Sequence, residues 1–283
     1  MNVQKCSAVF FAALSLFITL PLTALAHQPR IVESRETQVT EPEVSKAFYG
    51  TLSGAPDVFI MTADAPFNLY VNVLVPALEV PQRDVSADIL RNGERIARLE
   101  SQVDGWEKFY EPFGADYYWK GPEYENLVPA GTYEVRVFSP SNQSNYALAI
   151  GKIEAFGIQE TITTLALIPT LKRDFFDTSP VTFITSPLGY GLISVLFVLA
   201  FIAGLLYRAV LTRFATGARA APQNIGRADR ILRLVLAIAL FVLAITTNWS
   251  PILIFFSGFA LFEAIFSWCG FYAAIGKNTC GIA

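Results

Sequence analysis

The sequence predicts an all-β sandwich, exported from the cytoplasm, followed by an α-helical membrane domain of three transmembrane helices. Three observations predict this. Short runs of period-two hydrophobicity separated by turn residues fill residues 43–165. Long uncharged apolar stretches cover residues 188–207 and 234–262. Acidic and basic residues are segregated along the chain. Across all 283 residues, 53% are hydrophobic and 16% charged, well under the roughly 25% charged residues of soluble domains.

Residues 1–26 read as a secretory signal peptide. Lys5 gives a positive start, residues 9–20 form an apolar run too short to span a bilayer, and Ala24-Leu25-Ala26 is a small-x-small cleavage site. The mature chain then begins at His27. Residues 27–182 hold 22 acidic and 13 basic residues, a net of −9, whereas residues 208–233 carry six arginines against Asp229 alone. Short loops rich in Lys and Arg stay in the cytoplasm. Residues 27–187 are therefore expected outside and the linker 208–230 inside. Transmembrane helices are expected at 188–207, 231–247 and 251–270, with a cytoplasmic tail at 271–283. The expected location is a bacterial inner membrane. Cysteine usage agrees: Cys6 leaves with the signal, the exported part has none, and Cys269 and Cys280 lie at the cytoplasmic end of the last span.

After an N-terminal extension at 27–42, the sandwich is expected over 43–165. Residues 67–75 alternate with period two. Asn92-Gly93 between residues 84–91 and 94–100 is a strong hairpin signal, since a type I′ turn needs positive φ at both central positions. Residues 132–138 alternate again, and residues 146–150 follow a polar turn. About 120 residues bury a self-sufficient core. The stretch Pro129-Ala130-Gly131-Thr132-Tyr133 with its following strand, and Asn145-Tyr146-Ala147-Leu148, resembles the last two strands of bacterial pre-peptidase C-terminal-type sandwiches. That resemblance implies the fold and no ligand.

Residues 106–124 are dense in aromatics interleaved with acids. Trp106, Tyr110, Tyr117, Tyr118 and Trp119 are candidates for a binding surface, because rings stack on sugars and carboxylates accept hydroxyl hydrogens. The competing expectation is a long loop that closes the core with aromatic bulk. The acid pairs Asp57/Asp64 and Asp84/Asp88 lack the Asp-x-Asp-x-Asp-Gly pattern of a calcium loop, so no metal or other cofactor is expected. His27, the only histidine, would offer copper an α-amine and an imidazole if it became the amino terminus. The competing expectation is a polar residue at a frayed end. A hydrolytic activity is not expected, because no nucleophile–histidine pair is available near a folded site. No nucleic-acid partner is expected either.

Residues 166–187, with Pro169, Pro180 and Pro187, read as a stalk. In the first span, Ala200 and Gly204 form a small-xxx-small pair that lets another helix approach. The last segment carries the most specific signature: Asn224, Gly226, Asp229, Arg230 and Arg233 before a helical hairpin, then Cys269, Tyr272, Gly276, Thr279 and Cys280 after it. Over residues 223–281 this resembles the YgaP-like transmembrane domain, with Gly270 where that family usually has proline. The resemblance implies a two-helix inner-membrane module and dimerisation through the hairpin. It implies no sulfur transfer, since the rhodanese domain found in some relatives is missing from this sequence. Taking Trp249 as the turn, Arg233 lies 16 residues before it and Glu263 14 after it. At about 1.5 Å per residue their depths differ by about 3 Å, which predicts an intramembrane ion pair. Cys269 and Cys280 are candidate thiols, with Gly276 as a helix cap in the alternative reading. The expected function is binding or assembly: the sandwich meets an envelope protein or polymer while the helices, in contact with membrane lipid, anchor it. The alternative is sulfur-related redox or small-anion handling through Cys269 and Cys280.

Overall fold

The structure is a computed structural model that describes residues 27–79, 83–101, 105–155, 157–214 and 221–280. The expected signal peptide lies outside the described residues. The chain divides into two units, the first ending at Ser179 and the second beginning at Pro180.

In the first unit, strand β5 (Phe67–Pro76) sets the pattern. Phe67, Leu69, Val71, Val73 and Val75 point into the space between two sheets, because alternate residues of a strand face opposite sides. The strands that complete the unit are β1 (Gln28–Ile31), β2 (Glu36–Gln38), β3 (Lys46–Thr51), β4 (Asp57–Ala63), β6 (Ser86–Arg91), β7 (Glu94–Leu99), β8 (Glu107–Glu111), β9 (Asp116–Val128), β10 (Gly131–Phe138) and β11 (Asn145–Ile150). Sheet A has the order β1-β3-β11-β5-β9-β8 and sheet B the order β2-β4-β10-β6-β7. Sheet B contributes Phe59, Met61, Ile89, Tyr133, Val135 and Val137 to the shared core. The β6–β7 hairpin turns at Asn92 (φ 52°) and Gly93 (φ 84°), the left-handed pair that a type I′ turn requires.

Four expectations are corrected here. The N-terminal extension 27–42 is not outside the sandwich: β1 and β2 pair in parallel with β3 and β4 at the sheet edges. Their edge positions tolerate Pro29, which cannot donate to a ladder. The long aromatic loop is instead a hairpin, β8 paired antiparallel with β9. The stalk is not a spacer. Helix α1 (Ile158–Thr170) and a π-helical turn (Leu171–Phe175) lie across the outer face of sheet A. There Leu171, Phe175 and Phe176 bury against Tyr70, Leu74, Tyr118, Ala147 and Ala149, each large apolar side chain contributing about 1.5–3 kcal/mol. Finally, the expected helix boundaries shift in the second unit.

That unit begins with a 3₁₀ segment, Pro180–Thr185, and continues through α2 (Pro187–Phe214), α3 (Arg227–Thr246), α4 (Pro251–Phe266) and α5 (Gly270–Ile275). Among the described residues α2 is the one helix long and apolar enough to cross a membrane, and α4 is a shorter apolar helix. α2 runs seven residues beyond the expected 207. α4 stops at Phe266, short of the expected 270, because Ser267 takes φ 53° and ends the helix. The small pair in α2 meets α4: a Cβ on Gly204 would lie 2.5 Å from the Phe262 ring, and Ala200 packs on Gly258. Trp249 (φ 55°) makes the α3–α4 turn; its indole N–H donates to Pro180 O at 2.8 Å and its ring meets Phe183 edge-on.

An ionic contact also joins the π turn after α1 to sheet A. Lys172 Nζ donates to Asp116 Oδ1 at 2.7 Å and to Ala115 O at 3.2 Å, and the Lys172 side chain is 1% exposed. Removing one member of a buried pair leaves the other charged and unpaired, at a cost of about 3–5 kcal/mol. Lys172→Met should therefore destabilise the first unit by about 3 kcal/mol. Lys172→Met combined with Asp116→Asn should recover most of it. Urea unfolding read by amide exchange in α1 and β9 checks both.

Candidate functional site

Two places gather the chemically capable residues: the β8–β9 hairpin with the space beneath α1, and the base of the α3–α4 hairpin.

Antiparallel register opposes Lys108 to Trp119, Phe109 to Tyr118 and Tyr110 to Tyr117. Alternation then sorts the aromatics onto two faces. Trp106, Trp119 and Tyr124 pack on the edge of the inter-sheet core. Tyr118 turns the other way, beneath the α1 segment, where it donates to or accepts from the Tyr49 hydroxyl at 2.7 Å. Trp119 and Tyr124 share a face despite their odd and even numbers because β9 bulges at Gly121 and Pro122, opposite Val73. Asn72 satisfies that bulge: its Nδ2 donates to Gly121 O and Pro122 O at 3.0 and 3.1 Å. Gly121 allows the close approach, since a Cβ would lie 2.7 Å from the Trp106 ring. Of the five candidate surface aromatics, Tyr110 and Tyr117 are exposed (40% and 52%), with ring centroids 4.8 Å apart. Trp106 and Trp119 are half-buried, and Tyr118 is buried.

Beneath α1 lies a cavity of about 70 Å³, lined by His27, Glu111, Thr164, Tyr49, Phe109 and Phe113 among others. Glu111 folds back over its own turn, accepting N–H bonds from Phe113 at 2.8 Å and Gly114 at 2.6 Å. Burial outweighs those bonds and lifts its carboxyl to about 7. Thr164 is buried and its Oγ1 has no hydrogen-bond partner. His27 is not at a frayed end. Its Nδ1 shares a 2.5 Å hydrogen bond with Ser45 Oγ, and burial, with Lys120 nearby, lowers its pKa to about 4. Among the described residues no group of three or more His, Cys, Asp or Glu side chains converges to hold a metal.

At the base of the second unit, Asn224 ties two distant segments together. Its Nδ2 donates to Cys269 O at 2.9 Å and its Oδ1 accepts from Cys269 N at 2.7 Å. Its backbone accepts from Thr279 N at 3.1 Å. Thr279 in turn donates to Asp229 and accepts from Gly226 N at 3.0 Å. Arg230 Nε donates to Ala264 O at 3.0 Å. Arg233 and Glu263 come together, with Arg233 Nε donating to Glu263 Oε2 at 2.9 Å. The guanidinium also sits over the Tyr272 ring, 5.0 Å from its centroid, and Lys277 covers the same ring at 4.6 Å. The Cys269 thiol interacts with Arg233 and Glu263. Cys269 is 3% exposed; Cys280 is half-buried, and neither forms a disulfide. Gly276 caps α5 at φ 72°. At Gly270 a Cβ would sit 1.9 Å from the Tyr207 ring, so packing against α2 explains the glycine.

Sequence reasoning missed Glu111, Asp116 and Thr164 as lining of one cavity, and Lys172 as the partner of Asp116. The one available signal was Lys172 set among Leu171, Phe175 and Phe176, an amphipathic spacing with a charge on its apolar side.

In sequence order a two-sheet domain precedes a helical unit, in which, among the described residues, one helix is long and apolar enough to cross a membrane. Residues 221–283 match the family described as inner membrane protein YgaP-like, transmembrane domain. The chain therefore carries a YgaP-like inner-membrane module at its C-terminal end. No curated protein sequence matches the chain. Among solved structures, the pre-peptidase C-terminal domain of collagenase from Bacillus anthracis is 12% identical over 40% of this chain and 91% of that one, with a TM-score of 0.27. The Yersinia pseudotuberculosis-derived mitogen is 18% identical over 41% and 92%, with a TM-score of 0.26. Neither value carries an argument about ligand or activity.

Two outcomes are expected. Glu263→Gln or Arg233→Met alone should lower the thermal stability of the detergent-solubilised chain, and the two together should restore most of the loss. The pH dependence should separate two cavity groups. Between pH 4.5 and about 7 the folded chain holds a Glu111 proton that the unfolded chain has released, so this group's contribution falls as pH rises. Between about pH 4 and 6.5 the unfolded chain holds the His27 proton instead, so that contribution grows with pH. Relative to wild type, Glu111→Gln should gain stability as pH rises through its window and His27→Asn should lose it, measured by urea unfolding across pH 4–7.

Proposed function

We propose that the chain is a membrane-anchored binding or assembly protein whose sandwich lies outside the cytoplasm. In this reading the signal peptide is removed before His27, and residues 27–187 are extracytoplasmic. Three helices cross the inner membrane, and the arginine-rich linker and the C-terminus are cytoplasmic. Segregation of charge supports this topology, as does the YgaP-like module. The observation that carries the binding function is the free edge of β8. Among the described residues its outer side is unpaired, and Tyr110 and Tyr117 stand exposed beside it, with Lys108 4.9 Å from the Tyr117 centroid. An unpaired edge with exposed aromatics accepts a partner strand or a stacked polymer. Lipid covers the exposed Leu232, Val235 and Ile238 of α3, or a second copy does so in a homodimer.

The second reading, redox or small-anion handling, draws on the Cys269 thiol interacting with Arg233 and Glu263. Its burial leaves it less support than the β8 edge.

A reporter that is active only after export should be inactive when fused at Gly217 and active when fused after Lys152; activity at Gly217 overturns the topology. Tyr110→Ser with Tyr117→Ser should reduce crosslinking of the full-length protein to envelope components about tenfold, with unfolding unchanged. Unchanged crosslinking removes the β8 edge as the binding surface.

A further inference from the structure

We propose that the cavity beneath α1 binds a compact primary ammonium ion, with Glu111 as its counter-charge and Thr164 as its hydrogen-bond partner. The inference does not depend on what meets the β8 edge. Among the described residues no lysine or arginine pairs with Glu111. Lys172 is committed to Asp116, Lys120 pairs with Glu123, and Arg30 pairs with Glu160. His27, the remaining basic group, is spent on Ser45 and is held neutral by burial. Above about pH 7, where Glu111 is ionised, the cavity thus has one carboxylate more than it has cations, which disfavours an anionic ligand and favours a cation. Both Glu111 oxygens are anchored by backbone N–H groups, so the carboxylate is fixed in place before any ligand arrives.

The second observation is independent. Among the described residues Thr164 Oγ1 is a buried hydroxyl without a partner, and such a group costs stability unless something bonds to it. An ammonium presents three donors, enough for a carboxylate and a hydroxyl at once. Tyr49, Phe109 and Phe113 line the cavity with aromatic rings, a residue type that attracts cations. Size sets the class. A cavity of about 150 Å³ holds benzene, so about 70 Å³ suits about three heavy atoms, such as ethylammonium. A ligand that small binds at about millimolar strength.

Ethylammonium titrated into the full-length detergent-solubilised protein, followed by saturation-transfer NMR, tests the assignment against ethanol and acetate of similar size. Saturable binding at about millimolar concentration is expected, at least tenfold tighter than either control. Glu111→Gln should weaken it about tenfold or more, and Thr164→Val, which keeps the shape, should weaken it about threefold while the fold is kept and its stability is equal or higher. Ethanol binding as well as ethylammonium, no saturation, or a folded Thr164→Val that binds normally overturns the proposal. If Glu111→Gln fails to fold, Thr164→Val and the ethanol comparison decide.

Discussion

Sheet A is apolar on both faces, and most of the first unit follows from covering its outer side. The inner face meets sheet B. The outer face exposes Tyr70, Leu74, Ala147 and Ala149, which no solvent-facing sheet would carry, and α1 with its π turn buries them. Apolar contact alone fixes no register between a helix and a sheet. The Lys172–Asp116 pair does, because a buried charge has one acceptable position relative to its partner. Where the helix leaves the sheet incompletely filled, the cavity remains.

The second unit solves a different problem. A helix hairpin with loose ends leaves backbone groups unsatisfied, which hydrocarbon does not tolerate. Asn224 answers this with both side-chain atoms on the Cys269 backbone, while Thr279 and Asp229 close the opposite strand of the same knot. The motif residues that identify the family are therefore mostly wiring of the hairpin base. Cys269 is held by its backbone, and its thiol rests among charged groups. Gly204 and Gly258 let α2 lie against α4 at close range, as small residues do where lipid offers no hydrophobic drive.

Much of this was legible in the sequence. Asn92-Gly93 announces its turn because few residue pairs accept two positive φ values. Arg233 and Glu263 announce each other because nearly equal distances from Trp249, 16 and 14 residues, bring them to within about 3 Å in depth. The failures share one cause. Residues 106–124 read as a loop because dense aromatics obscured the alternation, and the bulge at Gly121 broke its parity halfway. Residues 166–187 read as a stalk because of their three prolines, the first of them Pro169. In the structure, that proline is accommodated inside α1 just before the helix widens into its π turn. The cavity was invisible for a deeper reason: its lining comes from β1, the β8–β9 turn and α1, which local patterning cannot bring together.

The order of attachment along the chain has a mechanical outcome. The polypeptide leaves the sandwich through Phe176, only a few residues past Lys172, on its way to α2. Any pull from the anchored helices is thus delivered to the helical cover before it reaches a single strand. Tension would strip that cover from its end, one turn at a time, while the eleven strands behind it stayed hydrogen-bonded. The domain has, in effect, a sacrificial seam next in sequence to its tether.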